Sequence, residues 1–478
     1  MILEETRIAK VEVRYGVGVE LARRLADYSL STRYSNLGKR TMNDMKARIV
    51  DAVGCALGAF NERPTSMARR AILGLRDGGP STLLGTRSRT SPDLATFVNG
   101  FMVRYFDFND TYLSKEPAHP SDNIAPCLAV AEAEGASGKE VIAAAVTAYE
   151  IQCRLCDAAD LRHRGWDHVN YGLVSSALAS SKLMGLDAIR ATHAVNIAMS
   201  GHIAMRQVRA GELSMWKGAS FSNAARNGVF AATLAREGIT GPAPIFEGEM
   251  GFFNQVSGEF PLDVTKFGGE GGGFKVDETY IKYWPAEYHA QSAIWAALEA
   301  RRHVEDLADL RSVLVETHEA GYAILGKGEE KWRPKTKETA DHSLPYMVGI
   351  ALMNGRVDNA SYSEHNLSDR KNLDIVSRIR VVEDPEFTAM YPDRGMPNRV
   401  TLYLRGGKEV TAQVMVPRGH PQNPMSKEDI DTKFLNLVRG TLGDGEGRRV
   451  LGRLWRLEDE STMGSLLIAM AVRKGSNA

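Results

Sequence analysis

Met42–Phe60 (MNDMKARIVDAVGCALGAF) constrains this chain most. Its apolar residues fall at helical spacing and cover nearly the whole circumference, with no wide polar stripe. A helix apolar on every side has to be surrounded by other elements, so the segment predicts a bundle of several helices. Gly18–Leu30, Gly138–Ala159 and Tyr171–Leu186 carry the same period, and the last two are rich in alanine and poor in breakers. Small residues along such helices permit close packing, and Gly185 and Gly201 stand where helices should stop. The pattern from about residue 16 to about 240 is therefore helical.

The character changes at Gly268-Gly269-Glu270-Gly271-Gly272-Gly273, a run read as a loop or hinge. It lacks the Gly-Lys-Ser/Thr ending that a phosphate-binding loop requires. Beyond it the pattern is mixed: Pro285–Arg301 reads as a helix and Leu310–Glu316 as a strand. Val400–Arg405 and Glu409–Val416 alternate apolar and polar residues about Gly406-Gly407, which predicts a half-buried hairpin on a two-residue turn. From Ser426 the pattern is helical again, and Asp429 stands three residues on as in a capped first turn. The expected fold is mainly α with an α+β part. A large all-helical domain is built from residues 1–273 and 425–478, and a smaller α+β lid domain, 274–424, is inserted between them. A chain of 478 residues is long enough for such a division at roughly 100–200 residues per domain.

Lysine plus arginine and aspartate plus glutamate both number 59, so net charge gives no electrostatic case for nucleic acid or an anionic membrane surface. No apolar stretch is long enough to span a membrane, and Met1–Lys10 does not read as a signal peptide. The four cysteines, Cys55, Cys127, Cys153 and Cys156, fit a reducing cytoplasm rather than a disulfide framework. Cys153 and Cys156 have no second pair nearby for zinc, and the set is too scattered for an iron–sulfur cluster. His365 and His420 have no metal-ligand spacing to other histidines, and neither a Gly-x-Ser-x-Gly elbow nor a dinucleotide fingerprint occurs. The expectation is no metal and no cofactor.

Polar residues gather in a few stretches. Asp107–Pro126 (DFNDTYLSKEPAHPSDNIAP) holds Asp107, Asp110, Thr111 and His119, and His163–Asn170 holds His168. Arg206–Lys217 holds Arg206, Arg209 and Lys217; Glu287–Gln291 holds Glu287 and His289; Thr339–Tyr346 holds His342. Each has an ordinary structural alternative: the aspartates as turn residues, His119 before Pro120 as a fixed extended step, the cations as a solvated face. The combination of acids, histidines and cations at element ends points instead to acid–base chemistry, where one group takes a proton while another assists the leaving group.

At these stretches the chain resembles the MmgE/PrpD family. The resemblance rests on DFNDT from Asp107, HPSDN from His119, RQVRAGELSMWKG from Arg206, NAARN from Asn223, WPAEYHAQ from Trp284, PKTKETADHS from Pro334 and GHPQNPMS from Gly419. It implies a helical domain formed by both chain ends with a smaller α+β lid, and a homodimer. It also implies one of the family's reactions: 2-methylcitrate dehydration, cis-aconitate decarboxylation or epimerisation of iminodisuccinate. Positions that serve the decarboxylase branch match Asp107, Thr111, His119, His168 and Lys217. The decarboxylase-like histidine after a Phe-Pro is replaced by Glu287 and His289 after Trp284-Pro285, which resembles the dehydratase branch. The resemblance thus implies a cytoplasmic, metal-free dehydratase of a small tricarboxylate. Asp107, His119 and His168 would be catalytic, and Thr111, Arg206, Arg209, Lys217, Glu287 and His289 would bind substrate. Outside enzymes the alternative is a helical scaffold, which would have no need to keep these clusters together.

Overall fold

The computed structural model describes residues 20–472, apart from 212, 270, 271 and 393. The first ten residues, part of the glycine run and the start of the Gly18–Leu30 segment fall outside that set. The helical half opens with α1 (Leu21–Ser31), α2 (Lys39–Gly58) and α3 (Arg63–Leu75). A short antiparallel pair, β1 (Ser81–Thr82) and β2 (Arg89–Thr90), precedes α4 (Pro92–Tyr105). Then come α5 (Ile124–Ala133), α6 (Gly138–Ala158), α7 (Asn170–Leu183), α8 (Ala188–Ser200) and α9 (Trp216–Arg236).

The residues that predicted a surrounded helix are surrounded. In α2, Met45, Ile49, Val50, Ala52, Val53, Ala56 and Leu57 are all buried, and α2 packs on α4, α6 and the helix Lys427–Val438. α7 is enclosed by α6, α8 and α9. Its close approach to α9 needs Gly172, where an added Cβ would lie 2.5 Å from the Phe221 ring. Ser137 and Glu140 form a reciprocal capping box at the start of α6. Gly185 takes positive φ just past α7, and Gly201 follows α8.

One apolar core joins Met45, Leu128 and Tyr149 to Ile430, Phe434, Leu451 and Leu467, so the last helices of the chain share it with the first. A second core lies among α1, α7, α8 and α9. A third begins at Ala286 and ends at Val410, while Phe274, Val276 and Ile281 still belong to the first. Both ends of the glycine run are held by one buried carboxylate: Gly268 N–H donates to Glu150 Oε1 at 2.8 Å and Lys275 N–H to Oε2 at 2.6 Å.

The third core covers a four-stranded sheet in the order β4 (Ile379–Glu383), β3 (Leu310–Thr317), β5 (Asn398–Leu404), β6 (Glu409–Val414). β3 and β4 are parallel and the other pairs antiparallel. The sequence places β3 within one residue, but the hairpin differs from its expectation. The connection is three residues, Arg405–Gly407, closed by Leu404 N–H to the Lys408 carbonyl, and both glycines adopt φ of 84°. β5 is also more buried than a half-exposed strand because β3 and β6 flank it. Expected helix Pro285–Arg301 begins only at Gln291, as α10 (Gln291–Arg301). The side chain of Gln291 accepts from the N–H groups of Tyr283 and Trp284 at 3.2 and 3.0 Å and donates to the Trp284 and Ala286 carbonyls, which satisfies a tight turn instead of a helical one. Ser426 caps Lys427–Val438 with Asp429 in a second capping box.

Gly138 shows how tightly the two chain ends join. Its N–H donates to the Glu460 carbonyl at 2.8 Å, and an added Cβ would sit 1.7 Å from the Leu457 oxygen. Gly138→Ala is expected to cost about 1–3 kcal/mol, as overpacking does. Urea unfolding measures it, and an unchanged midpoint would show that the ends are not packed as described.

Candidate functional site

α4 ends against the DFNDT segment, and the chain turns there through Asp107 at φ 51°, the one non-glycine residue with positive φ among those described. That region is unfavourable for a residue with a Cβ and needs holding in place. The carbonyl of Asp107 accepts from Lys282 Nζ at 2.7 Å, and its Oδ1 accepts from the same ammonium at 2.8 Å and from Arg104. Its Oδ2 faces Lys217 Nζ at 3.3 Å and His342 Nε2 at 3.6 Å. Burial pushes this carboxyl up, but Arg104, Lys217 and Lys282 outweigh it and hold the group well below the usual carboxylate range.

The next segment is stitched side chain to backbone. Asp110 accepts from Ser121 N–H at 2.9 Å and Tyr149 Oη at 2.8 Å. Asn109 donates to Ser121 and Asp122, both at 2.9 Å. Thr111 pairs backbone to backbone with Tyr280 and donates its hydroxyl to the Ala118 carbonyl at 3.1 Å. The result aims His119. Its Nδ1 lies 2.7 Å from the Asp110 carbonyl, which can only accept, so Nδ1 carries the hydrogen and Nε2 keeps its lone pair. Burial, with Arg104 and Lys282 nearby, holds His119 well below the ordinary histidine value, so it is neutral at neutral pH.

His168 lies just before α7, its ring centroid 5.8 Å from that of His119. It is buried, and its Nδ1 has no protein partner among the described residues. Asp167 beside it takes Arg209 Nε at 2.9 Å. Burial and the neighbouring Arg209 lower Arg206, whose side chain pairs with no carboxylate among the described residues. Lys217, in the first turn of α9, also contacts Asp341 Oδ1 at 3.5 Å and His342 Nδ1 at 3.2 Å. From the tight turn before α10, Glu287 accepts from His289 Nδ1 at 2.8 Å, while His289 Nε2 meets Tyr391 Oη at 3.1 Å. Burial raises Glu287, but His289, His342 and Lys282 bring it down to about 2.

All nine site residues named from the sequence line one cavity of about 410 Å³. Asp107, Thr111, His119, His168, Arg206, Arg209 and Lys217 come from the helical side, and Glu287 and His289 from the segment that carries the third core. Seven of the lining side chains are lysine or arginine against three carboxylates, so the cavity is basic although the chain is neutral overall. Leu113, Leu213 and Ile324 supply apolar wall. Asp107, Asp341 and His342 present ligand atoms within 4.8 Å of one another, the spacing of a cation site. The Lys217 ammonium is 3.2–3.5 Å from all three and stands where a metal cation would be held. The cysteines take no part: all four are buried, and burial pushes Cys127 up to about 12.

Sequence reasoning did not single out Arg104, Lys282, Asp341 or Tyr391. Arg104 is the lone cation of an apolar helix immediately before DFNDT, which was a usable signal; Asp341 stands beside His342 in a cluster already noted. Lys282 and Tyr391 carry no local mark, because only the folded chain brings them to the cavity.

Two family models match this chain: the MmgE/PrpD N-terminal domain over residues 23–265 and the MmgE/PrpD C-terminal domain over residues 284–457. The chain belongs to the MmgE/PrpD family. The 2-methylcitrate dehydratase of Escherichia coli K12 is 31% identical over 422 residues, covering 82% of this chain and 85% of that protein. The 2-methylcitrate dehydratase of Cupriavidus necator is 29% identical over 81% of this chain and 84% of its own length. The mitochondrial 2-methylcitrate dehydratase of Yarrowia lipolytica is 27% identical over 86% and 82%. The second MmgE/PrpD model runs from the turn before Glu287 into the returning helices, so it spans both the sheet and part of the shared core. Among the described residues no helix is long and apolar enough to cross a membrane.

The buried histidines set a pH dependence. Burial, the largest cause at each, lowers His119, His168 and His342, and brings His318 down to about 3. Unfolding returns them to about 6.5, so below that pH the unfolded chain binds more protons and stability falls as pH falls. The depressed carboxyls Asp107, Glu287 and Asp341 act lower, their contribution fading only below about pH 4. Urea midpoints should hold between about pH 7 and 8 and drop steadily from about 6.5 to 5. A flat profile across that window would show that these histidines are not buried neutral.

Proposed function

We propose that this chain is a hydro-lyase that binds a small tricarboxylate in the basic cavity and eliminates water from it, turning 2-methylcitrate into 2-methyl-cis-aconitate without a metal ion. The observation that carries this reading is a cavity rich in cations and lined by a histidine whose Nδ1 is committed to a backbone carbonyl, which leaves the lone pair on Nε2. A tricarboxylate needs several fixed positive charges, and the elimination needs a base beside them.

In this reading Arg206, Arg209 and Lys217 pair with substrate carboxylates, and Thr111, Glu287 and His289 complete the wall. His119 Nε2 takes the proton from the carbon next to a carboxylate, and His168 is the adjacent group to which that proton can pass. The negative charge that develops is met by ammonium and guanidinium groups already in place, so little reorganisation accompanies the reaction. The departing hydroxide takes a proton from the ammonium groups of Lys217 or Lys282. Asp107 has a narrower part than a general acid or base: surrounded by three cations, it stays ionised and orients Lys217 and Lys282. In this reading the smaller domain, expected at 274–424, is the part that carries the third core, Ala286 to Val410, and closing it over the cavity excludes water from the reacting centre. Leu113, Leu213 and Ile324 offer apolar surface for the substrate methyl group.

Chelator-treated protein incubated with 2-methylcitrate should produce alkene absorbance. Citrate, lacking the methyl, should be poorer by roughly 1–3 kcal/mol in kcat/KM. Carbon dioxide from cis-aconitate without alkene from 2-methylcitrate would move the assignment to the decarboxylase, and activity that returns only with added iron would end the metal-free reading. His119→Ala should lose at least ~100-fold in kcat with an unchanged melting profile. Near-normal turnover in that variant would remove His119 from the role of base.

A further inference from the structure

A second buried charge pair, which the reaction above does not use, lies against Phe108 and Lys282, where Phe108 and Lys433 line a separate cavity of about 680 Å³. Lys433, on the helix Lys427–Val438, is buried and 2.6 Å from Asp51 Oδ1 on α2. Its ammonium donates to two backbone carbonyls, Phe108 at 2.7 Å and Lys282 at 2.8 Å, and sits 3.7 Å above the Phe108 ring. Phe108 is the residue after Asp107, and Lys282 is the residue whose own ammonium grips the Asp107 carbonyl and carboxylate.

We propose that Asp51 and Lys433 are a positioning pair for the cavity: they clamp the two backbone segments that carry Asp107 and Lys282, and so hold Asp107 in its left-handed conformation. Three features favour this over simple core filling. A lysine buried in an apolar bundle costs more than a leucine unless its charge and hydrogens are all answered, and here a carboxylate and two carbonyls answer them. Both carbonyls belong to the chain on which the cavity is built rather than to helix interiors. The clamped turn contains the strained residue, and strain of this kind persists only where the surroundings over-determine it. In this proposal cavity geometry depends on docking of the returning helix, which carries Lys433. The proposal rests on this cavity being the reacting site, but not on which tricarboxylate reacts there.

The test is the double variant Asp51→Leu/Lys433→Met, which removes both charges and leaves neither one buried alone. The expected result is a folded protein melting near the wild type, with kcat lower by about 100-fold and KM within about threefold, since a displacement of about 1 Å at a reacting group is enough for such a loss. Its crystal structure should show Asp107 out of the left-handed region. A pair that is merely structural would change the melting temperature and leave kcat per folded molecule intact; that result, or an unchanged Asp107 φ, would overturn the proposal. Should the double variant fail to fold, Asp51→Asn/Lys433→Gln, which removes both charges but keeps amide groups in their place, is read the same way. A wild-type protein inert towards 2-methylcitrate would defeat the proposed substrate, while the backbone angle at Asp107 would still decide the role of the pair.

Discussion

The carboxylate of Asp107, buried among Arg104, Lys217 and Lys282, is the contact on which the site depends. Three cations brought together out of water repel one another and lose their hydration, and such an arrangement survives only if an anion lies among them. Asp107 is that anion, and each cation arrives on a different piece of chain: the last turn of α4, the first turn of α9, and the strand-like step after Tyr280. Asp341 and His342 close the group from the turn between Ala340 and Leu344 of the third core. One buried charge thus fixes where four parts of the chain meet.

That convergence accounts for the electrostatics of the cavity. The chain has no net charge, yet its inner wall is basic because cations outnumber carboxylates in the lining, and two carboxylates that pair with lining cations, Asp167 and Asp341, are not part of it. Asp167 backs Arg209, and Asp341 backs Lys217 and Lys337. Cations already paired with these carboxylates are in position before a ligand arrives, which is the condition under which fixed charges contribute most to an anionic transition state.

The same packing explains the state of the histidines. His119 is not made basic by an adjacent carboxylate; its tautomer is set by a backbone carbonyl, and burial beside Arg104 and Lys282 keeps it neutral. A neutral imidazole with one committed and one free nitrogen can accept a proton at neutral pH. The arrangement trades stability in acid for that readiness, since neutral histidines in the folded state favour unfolding once the solution can protonate them.

The sequence by itself determined the mainly helical architecture and where it gives way to mixed structure. An all-round apolar α2 requires surrounding helices, and the alternation in β5 and β6 requires a sheet, whatever the rest of the chain does. It also marked nine residues that line one cavity, because polar groups clustered at element ends are visible as local pattern. Local pattern could not supply the hairpin's third turn residue, since Arg405 looks like the end of a strand until the ladder stops at Leu404. Nor could it supply the turn at Trp284–Glu287, because the side chain that satisfies it, Gln291, lies on the next helix. Lys282, Tyr391, Asp51 and Lys433 were decided by tertiary structure alone. A single lysine or tyrosine has the same composition and spacing on a surface as in a site, and only the partners brought to it from distant segments, a carboxylate here and two carbonyls there, give it a role.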